Sequence, residues 1–201
     1  IDYPELFNIN CGGVGASAGG PQMPNGDWMH MNSIDYNPHL DQIVLSSRIQ
    51  SELYVIDHST TTAEAASHAG GLSGKGGDIL YRWGNPENYG RGTSQDKILD
   101  GQHSVNWIPE GYPGAGNIIL FNNFYQPHGS EMSSAVLEIS PTIDDNNYII
   151  YPDDAFGPDY ITWEYISNTI VPIQGGAFRL SNGNTIITFT QHARIIEVNS
   201  S

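Results

Sequence analysis

The chemistry in this sequence rests on histidine, which appears twice in similar surroundings. Trp28-Met29-His30-Met31-Asn32-Ser33 is followed by Arg48, and Gly101-Gln102-His103-Ser104-Val105-Asn106-Trp107 again sets a histidine at the opening of an apolar strand. Imidazole is a nucleophile and proton carrier near neutral pH. An arginine close to such a histidine raises the question of anion binding, because a guanidinium fork matches the oxygens of a charged group. A histidine beside Trp28 or Trp107 can also serve simply as a backbone-bonded cap. Two histidines at matching positions, with Asn32 and Arg48 nearby, favour a polar site, since such a cluster has no evident packing purpose.

Composition narrows the partners. The chain has 22 Asp+Glu against 7 Lys+Arg, a formal net charge of -15. Phosphate-backbone binding needs clustered cations, so nucleic acid is excluded as a partner. The single cysteine, Cys11, allows neither an internal disulfide framework nor a four-cysteine zinc site. No apolar run reaches the length of a membrane span, and Ile1-Asp2-Tyr3-Pro4 carries no signal-like leader. A start without Met reads as a processed or truncated product.

The elements that must position these residues are strands. Gln42 to Ser47, Glu52 to Ile56, Ile118 to Asn122, Ala135 to Ile139, Thr185 to Phe189 and Arg194 to Val198 are short runs bounded by Asn, Gly, Pro and Asp. Ser59 to His68 holds the best helical candidate, with Thr61 and Glu64 at capping-box spacing. His30 and His103 lie 73 positions apart, and the same step again falls at Gly176. Each anchor precedes a turn, a second strand and a third, and Ile79 to Trp83 and Thr162 to Ile166 are candidate fourth strands. The pattern predicts an all-β chain, a β-propeller of about three four-stranded blades over approximately 26–83, 101–166 and 174–199, with 1–25 as an irregular lead-in. A propeller closes with roughly four to eight blades, so these blades are expected to be incomplete alone, with the rest supplied by an N-terminal segment or a second chain.

Trp28 to Ile34, Arg48 after Ile43-Val44-Leu45-Ser46-Ser47, and Gly101-Gln102-His103 together resemble the active-site motifs of bacterial arylsulfate sulfotransferases, six-bladed propeller enzymes that work without phosphoadenosine phosphosulfate. Gly74 to Pro86 and Arg179 to Thr185 add to the similarity, which is dense from about residue 26 to 123. The resemblance implies sulfuryl transfer from an aryl sulfate donor to a phenolic acceptor. It makes His103 the residue transiently sulfated, with His30, Asn32 and Arg48 holding the sulfuryl oxygens, no cofactor and no metal. A further histidine of the family's site comes from its N-terminal half, which these residues do not represent. It also implies a periplasmic or secreted location. Alternatives are a non-enzymatic propeller fragment acting in binding or assembly, and a hydrolase using the same residues with water as acceptor.

Other polar groups read as structural. His39, His58, His68 and His128 fall in turns or at strand edges, and His192 sits between a second and a third strand. Asp144 to Asn147 and Asp153-Asp154 offer hard oxygens for calcium but lack a calcium-loop spacing, so they read as solvated turns. Gly70 to Gly77 lacks the Gly-Lys-Ser/Thr ending of a phosphate loop and precedes a strand.

Overall fold

The computed structural model describes residues 3–9, 27–127, 130–144 and 147–199. Cys11, His128, Asp145, Asn146 and most of the expected lead-in lie outside them. The first sheet is a meander of β1 (Met31–Asn37), β2 (Gln42–Ser47), β3 (Glu52–Asp57) and β4 (Tyr81–Trp83), each antiparallel to the last. Asn37 makes the first turn tight, its side-chain oxygen accepting the N–H groups of His39 at 3.0 Å and Leu40 at 3.2 Å. Between β3 and β4 lies the short helix α1 (Thr62–Ala65), which has the expected capping box between Thr61 and Glu64.

The second sheet repeats the plan with β5 (His103–Trp107), β6 (Ile118–Tyr125) and β7 (Ser133–Ile139). A two-stranded ribbon, β8 (Ile143–Asp144) with β9 (Asn147–Tyr148), intervenes before β10 (Trp163–Ile166) returns to pair with β7. The third sheet consists, among the described residues, of β11 (Gly176–Arg179), β12 (Thr185–Phe189) and β13 (Arg194–Val198). The chain is therefore all-β, with successive antiparallel sheets stacked as blades in an open arc of a propeller.

Strand periodicity shows why the middle sheet reads as unbroken apolar runs. On β6, Ile118 and Leu120 enter a core shared with Val44, Leu53, Val55 and Trp83 of the first sheet. Ile119 and Phe121, pointing the other way, meet Ala177, Ile187 and Phe189 of the third. A strand buried on both faces has no polar alternation to show. At the flanks the alternation returns: Ile34 on β1 and Ile195 on β13 are 70% and 65% exposed.

The first strands of successive sheets are laced together by side chains. Val105 donates its N–H to Ser33 Oγ at 3.0 Å, and Trp107 donates to Asp35 Oδ2 at 2.9 Å. Ala177 N–H donates to Ser104 Oγ at 3.4 Å, while Asn106 Nδ2 donates to the Ala177 carbonyl at 3.0 Å. Edge groups that would otherwise remain unpaired are satisfied in this way, and the same lacing fixes the openings of β1 and β5 relative to each other.

Candidate functional site

His30 stands just before β1 with a left-handed φ of 48°. Such backbone costs a non-glycine residue about 1–3 kcal/mol and persists where surrounding bonds over-determine it. The β2–β3 hairpin supplies those bonds: Arg48 N–H donates to the His30 carbonyl at 3.2 Å and Ile49 N–H to the Met29 carbonyl at 3.3 Å. Ser47 Oγ donates to Met29 O at 2.6 Å, and Gln50 Nε2 to Trp28 O at 2.9 Å. His30 and Arg48 are thus neighbours across one extended hairpin. A bulge between Met31 and Ser33 re-aims the chain as the strand proper begins.

His103 opens β5 in a similar setting. The residue after it, Ser104, has φ 57°, and the β5–β6 register shifts between His103 and Asn106. Gly101, two residues earlier, has φ 65°, and a Cβ there would meet the Phe124 ring at 2.9 Å, so glycine lets the loop pass close to β6. Gln102 is fully buried and reaches into the first sheet, donating to the carbonyls of Ser47 at 2.8 Å and Glu52 at 3.1 Å. It is the clasp between the His103 segment and the hairpin carrying Arg48.

Three of the four expected residues come together electrostatically. Burial is the main reason the His103 ring holds its proton less tightly than an ordinary histidine. The Asn123 side chain and the Gly101 backbone oppose that shift, and the positive charges of Arg48 and His30 add to it. Asn32 is tied differently. One N–H of its amide donates to the Gln102 carbonyl at 2.7 Å, so it braces β1 against the His103 segment, while its Oδ1 is buried without a hydrogen-bond partner.

Four of the seven Lys and Arg side chains are paired with carboxylates. Arg82 lies buried between Tyr54 and Tyr89 with both forks on Glu52, at 2.8 and 2.6 Å. Arg179 is paired with Glu138, Arg91 with Asp153 at 3.3 Å, and Lys97 with Asp100 at 3.0 Å. Arg48, like Lys75 and the exposed Arg194, has no carboxylate partner among the described residues; half-buried, it lies close enough for its charge to act on His103. In a chain this acidic, a guanidinium left without a counter-charge is a ready anion site.

Two partners of the histidines escape sequence reasoning. Asp27 accepts from His30 Nδ1 at 2.5 Å, and Asn123, fully buried on β6, lies 2.8 Å from His103 Nδ1. Asn122-Asn123 in the middle of an apolar strand is the one signal available, since asparagine is disfavoured there unless its amide is fully bonded. The other described histidines take turn or surface positions, His58 against Asp41 and His68 against Asp78, both at 2.6 Å, and His39 3.6 Å from Glu110. His192 lies exposed in a single 3₁₀ turn between β12 and β13. Groups of three or more possible metal ligands do not occur among the described residues.

Stacked antiparallel sheets, with His30, Arg48 and His103 where two of them open, define a propeller-type protein. Residues 14–148, more than half of the chain, match the family Arylsulfotransferase (ASST). The chain belongs to that family, and its function is of the sulfotransferase type. A search of the curated proteins finds no match.

Proposed function

We propose that this chain carries sulfuryl transfer from an aryl sulfate to a phenolic acceptor through a sulfated His103. The observation that carries the reading is the juxtaposition of an imidazole made less basic by burial with Arg48, a cation lacking a carboxylate partner among the described residues. His103 Nε2 attacks sulfur with its lone pair, the N–S bond forms as the S–O bond to the aryl group breaks, and the electron pair departs on the phenolate. In the second half the acceptor phenolate attacks the same sulfur, the N–S bond breaks and the lone pair returns to His103. Arg48, His30 and the free N–H of Asn32 hold the non-bridging oxygens, whose charge grows in a loose in-line transfer.

A nucleophile must be unprotonated to act, and depressed basicity keeps His103 so at neutral pH. The neutral ring is also a good leaving group, which transfer to a phenol requires. We place this reaction outside the cytoplasm, as the family resemblance implies, with the other blades of the propeller completing the site; no described helix is long and apolar enough to cross a membrane.

The test uses the intact protein with a chromogenic aryl sulfate and a second phenol. Parallel-line kinetics as both concentrations vary, with sulfate recovered on the acceptor, is the expected result. Release of the first phenol at an acceptor-independent rate with inorganic sulfate as product would make it a hydrolase. Failure to cleave the donor under any condition would leave only a binding or assembly role.

A further inference from the structure

We propose that Asn123 is a positioning residue that holds neutral His103 as the tautomer protonated on Nδ1, so that Nε2 alone can bond to sulfur. This rests on the sulfohistidine reading above for its consequence in turnover, and on hydrogen-bond geometry for its premise. Side-chain amides are ambiguous in orientation unless their partners decide it. Here they do. Asn123 Nδ2 lies 2.6 Å from the Val171 carbonyl and 2.7 Å from the Gln174 carbonyl. Carbonyls only accept, so both amide hydrogens are spent on them and the amide cannot turn over.

The oxygen of Asn123 must then face His103 Nδ1, 2.8 Å away. A carboxamide oxygen has no proton to give, so Nδ1 carries the hydrogen of the shared bond. In the neutral ring the one remaining lone pair belongs to Nε2. Asn123 is itself pinned from behind: Ser134 Oγ donates to its backbone carbonyl at 2.7 Å and in turn accepts the Val171 N–H at 2.8 Å. The side chain is fully buried, so water does not compete for either end.

A purely structural role, tying the 171–174 segment to β6, accounts for the two donated bonds but not for an acceptor aimed at the histidine. A neutral partner also suits the chemistry. As Nε2 bonds to sulfur, positive charge spreads to Nδ1–H, and the amide oxygen receives it without adding an anion that would hold the sulfated state too firmly for the second transfer.

Nitrogen-15 NMR of His103 in the intact protein without substrate tests the premise directly. The expected spectrum has a protonated Nδ1 and a pyridine-like Nε2 above the titration range. Asn123→Ala should move His103 toward the mixed tautomers of a free imidazole and lower kcat by about tenfold to a hundredfold with little change in KM, as loss of an orienting partner does elsewhere. Asn123→Asp should keep the tautomer but raise the pH at which the acid limb of activity falls. A wild-type His103 protonated on Nε2, or a folded Asn123→Ala protein with the tautomer unchanged, would overturn the proposal. Because the tautomer is read without turnover, its failure is distinct from failure of the sulfohistidine reading. Should Asn123→Ala not fold, the wild-type spectrum and Asn123→Asp still decide the matter.

Discussion

His30 and His103 stand at the same point of the repeat, each at the opening of a first strand and beside a bulge, yet their surroundings have diverged. Across from His30 the hairpin carries Arg48, whereas across from His103 the matching place on β6 is Phe121. Two residues further on, Gln50 serves the Trp28 carbonyl in the first sheet and Asn123 serves the His103 ring in the second. Behind His30 is a carboxylate, Asp27, and behind His103 a carboxamide. A carboxylate and a carboxamide both accept from Nδ1, but only the carboxylate brings a negative charge to the ring; in the proposed mechanism His103 needs its Nε2 lone pair, and a neutral amide leaves it so. On the proposed reading one backbone plan supports an anion holder and a nucleophile, the difference lying in what each Nδ1 touches.

Replacement of the two histidines is the harshest way to break this comparison. His103→Ala is expected to abolish release of phenol from an aryl sulfate, while His30→Ala should leave measurable turnover, because a donor to the sulfuryl oxygens is lost rather than the group that forms the bond. Equal and complete loss in both would erase the distinction. Arg48→Ala comes next, with transition-state stabilisation falling by about 3 kcal/mol, near a hundredfold in kcat/KM.

The same substitution sharpens the electrostatic side. Burial and the neighbouring positive charges lower the His103 pKa from 6.5, so the base form persists to lower pH and the acid limb of kcat/KM should have its midpoint below that value. Removing Arg48 withdraws one depressing charge and should move the limb upward. A limb that stays in place would mean the titrating group lies elsewhere. Asp27→Asn gives the first-sheet histidine the kind of partner the second has, and we expect about a tenfold fall in kcat with the nucleophile untouched. Gln102→Ala should have the smallest effect on chemistry, costing about 1–2 kcal/mol of stability in denaturant unfolding for the lost bonds to Ser47 and Glu52 and loosening Arg48 relative to His103.

Strands were the legible part of this chain. Gln42–Ser47, Thr185–Phe189 and Arg194–Val198 form with the bounds their composition predicts, because residues of high strand propensity end there at Asn, Gly or turn signals. Tyr81–Trp83 is shorter than the run from Ile79 suggests, though Leu80 N–H still bonds the Val55 carbonyl at 2.9 Å. The ribbon Ile143–Asp144 with Asn147–Tyr148 is too short to show a period. Within the candidate site, His30 and His103 follow from repetition, and Arg48 from the scarcity of cations beside a histidine and from the family motif, since its repeat counterpart is Phe121. Asn123 does not, since its meaning depends on carbonyls at Val171 and Gln174 that no local pattern connects to it. Asn32 shows a milder version of the same limit: its type suggests an oxygen-holding amide, and only the fold reveals that one N–H is engaged by Gln102.

In the proposed mechanism His103, and not its counterpart His30, forms the bond to sulfur. Rapid quenching of the intact protein with an aryl sulfate and no acceptor, followed by peptide mapping under alkaline conditions that preserve sulfated histidine, tests it most directly. One added sulfuryl group is expected on the peptide containing His103, lost again when a phenol is supplied before quenching. A sulfuryl group on the His30 peptide, or stoichiometric release of phenol with no labelled histidine, would contradict it.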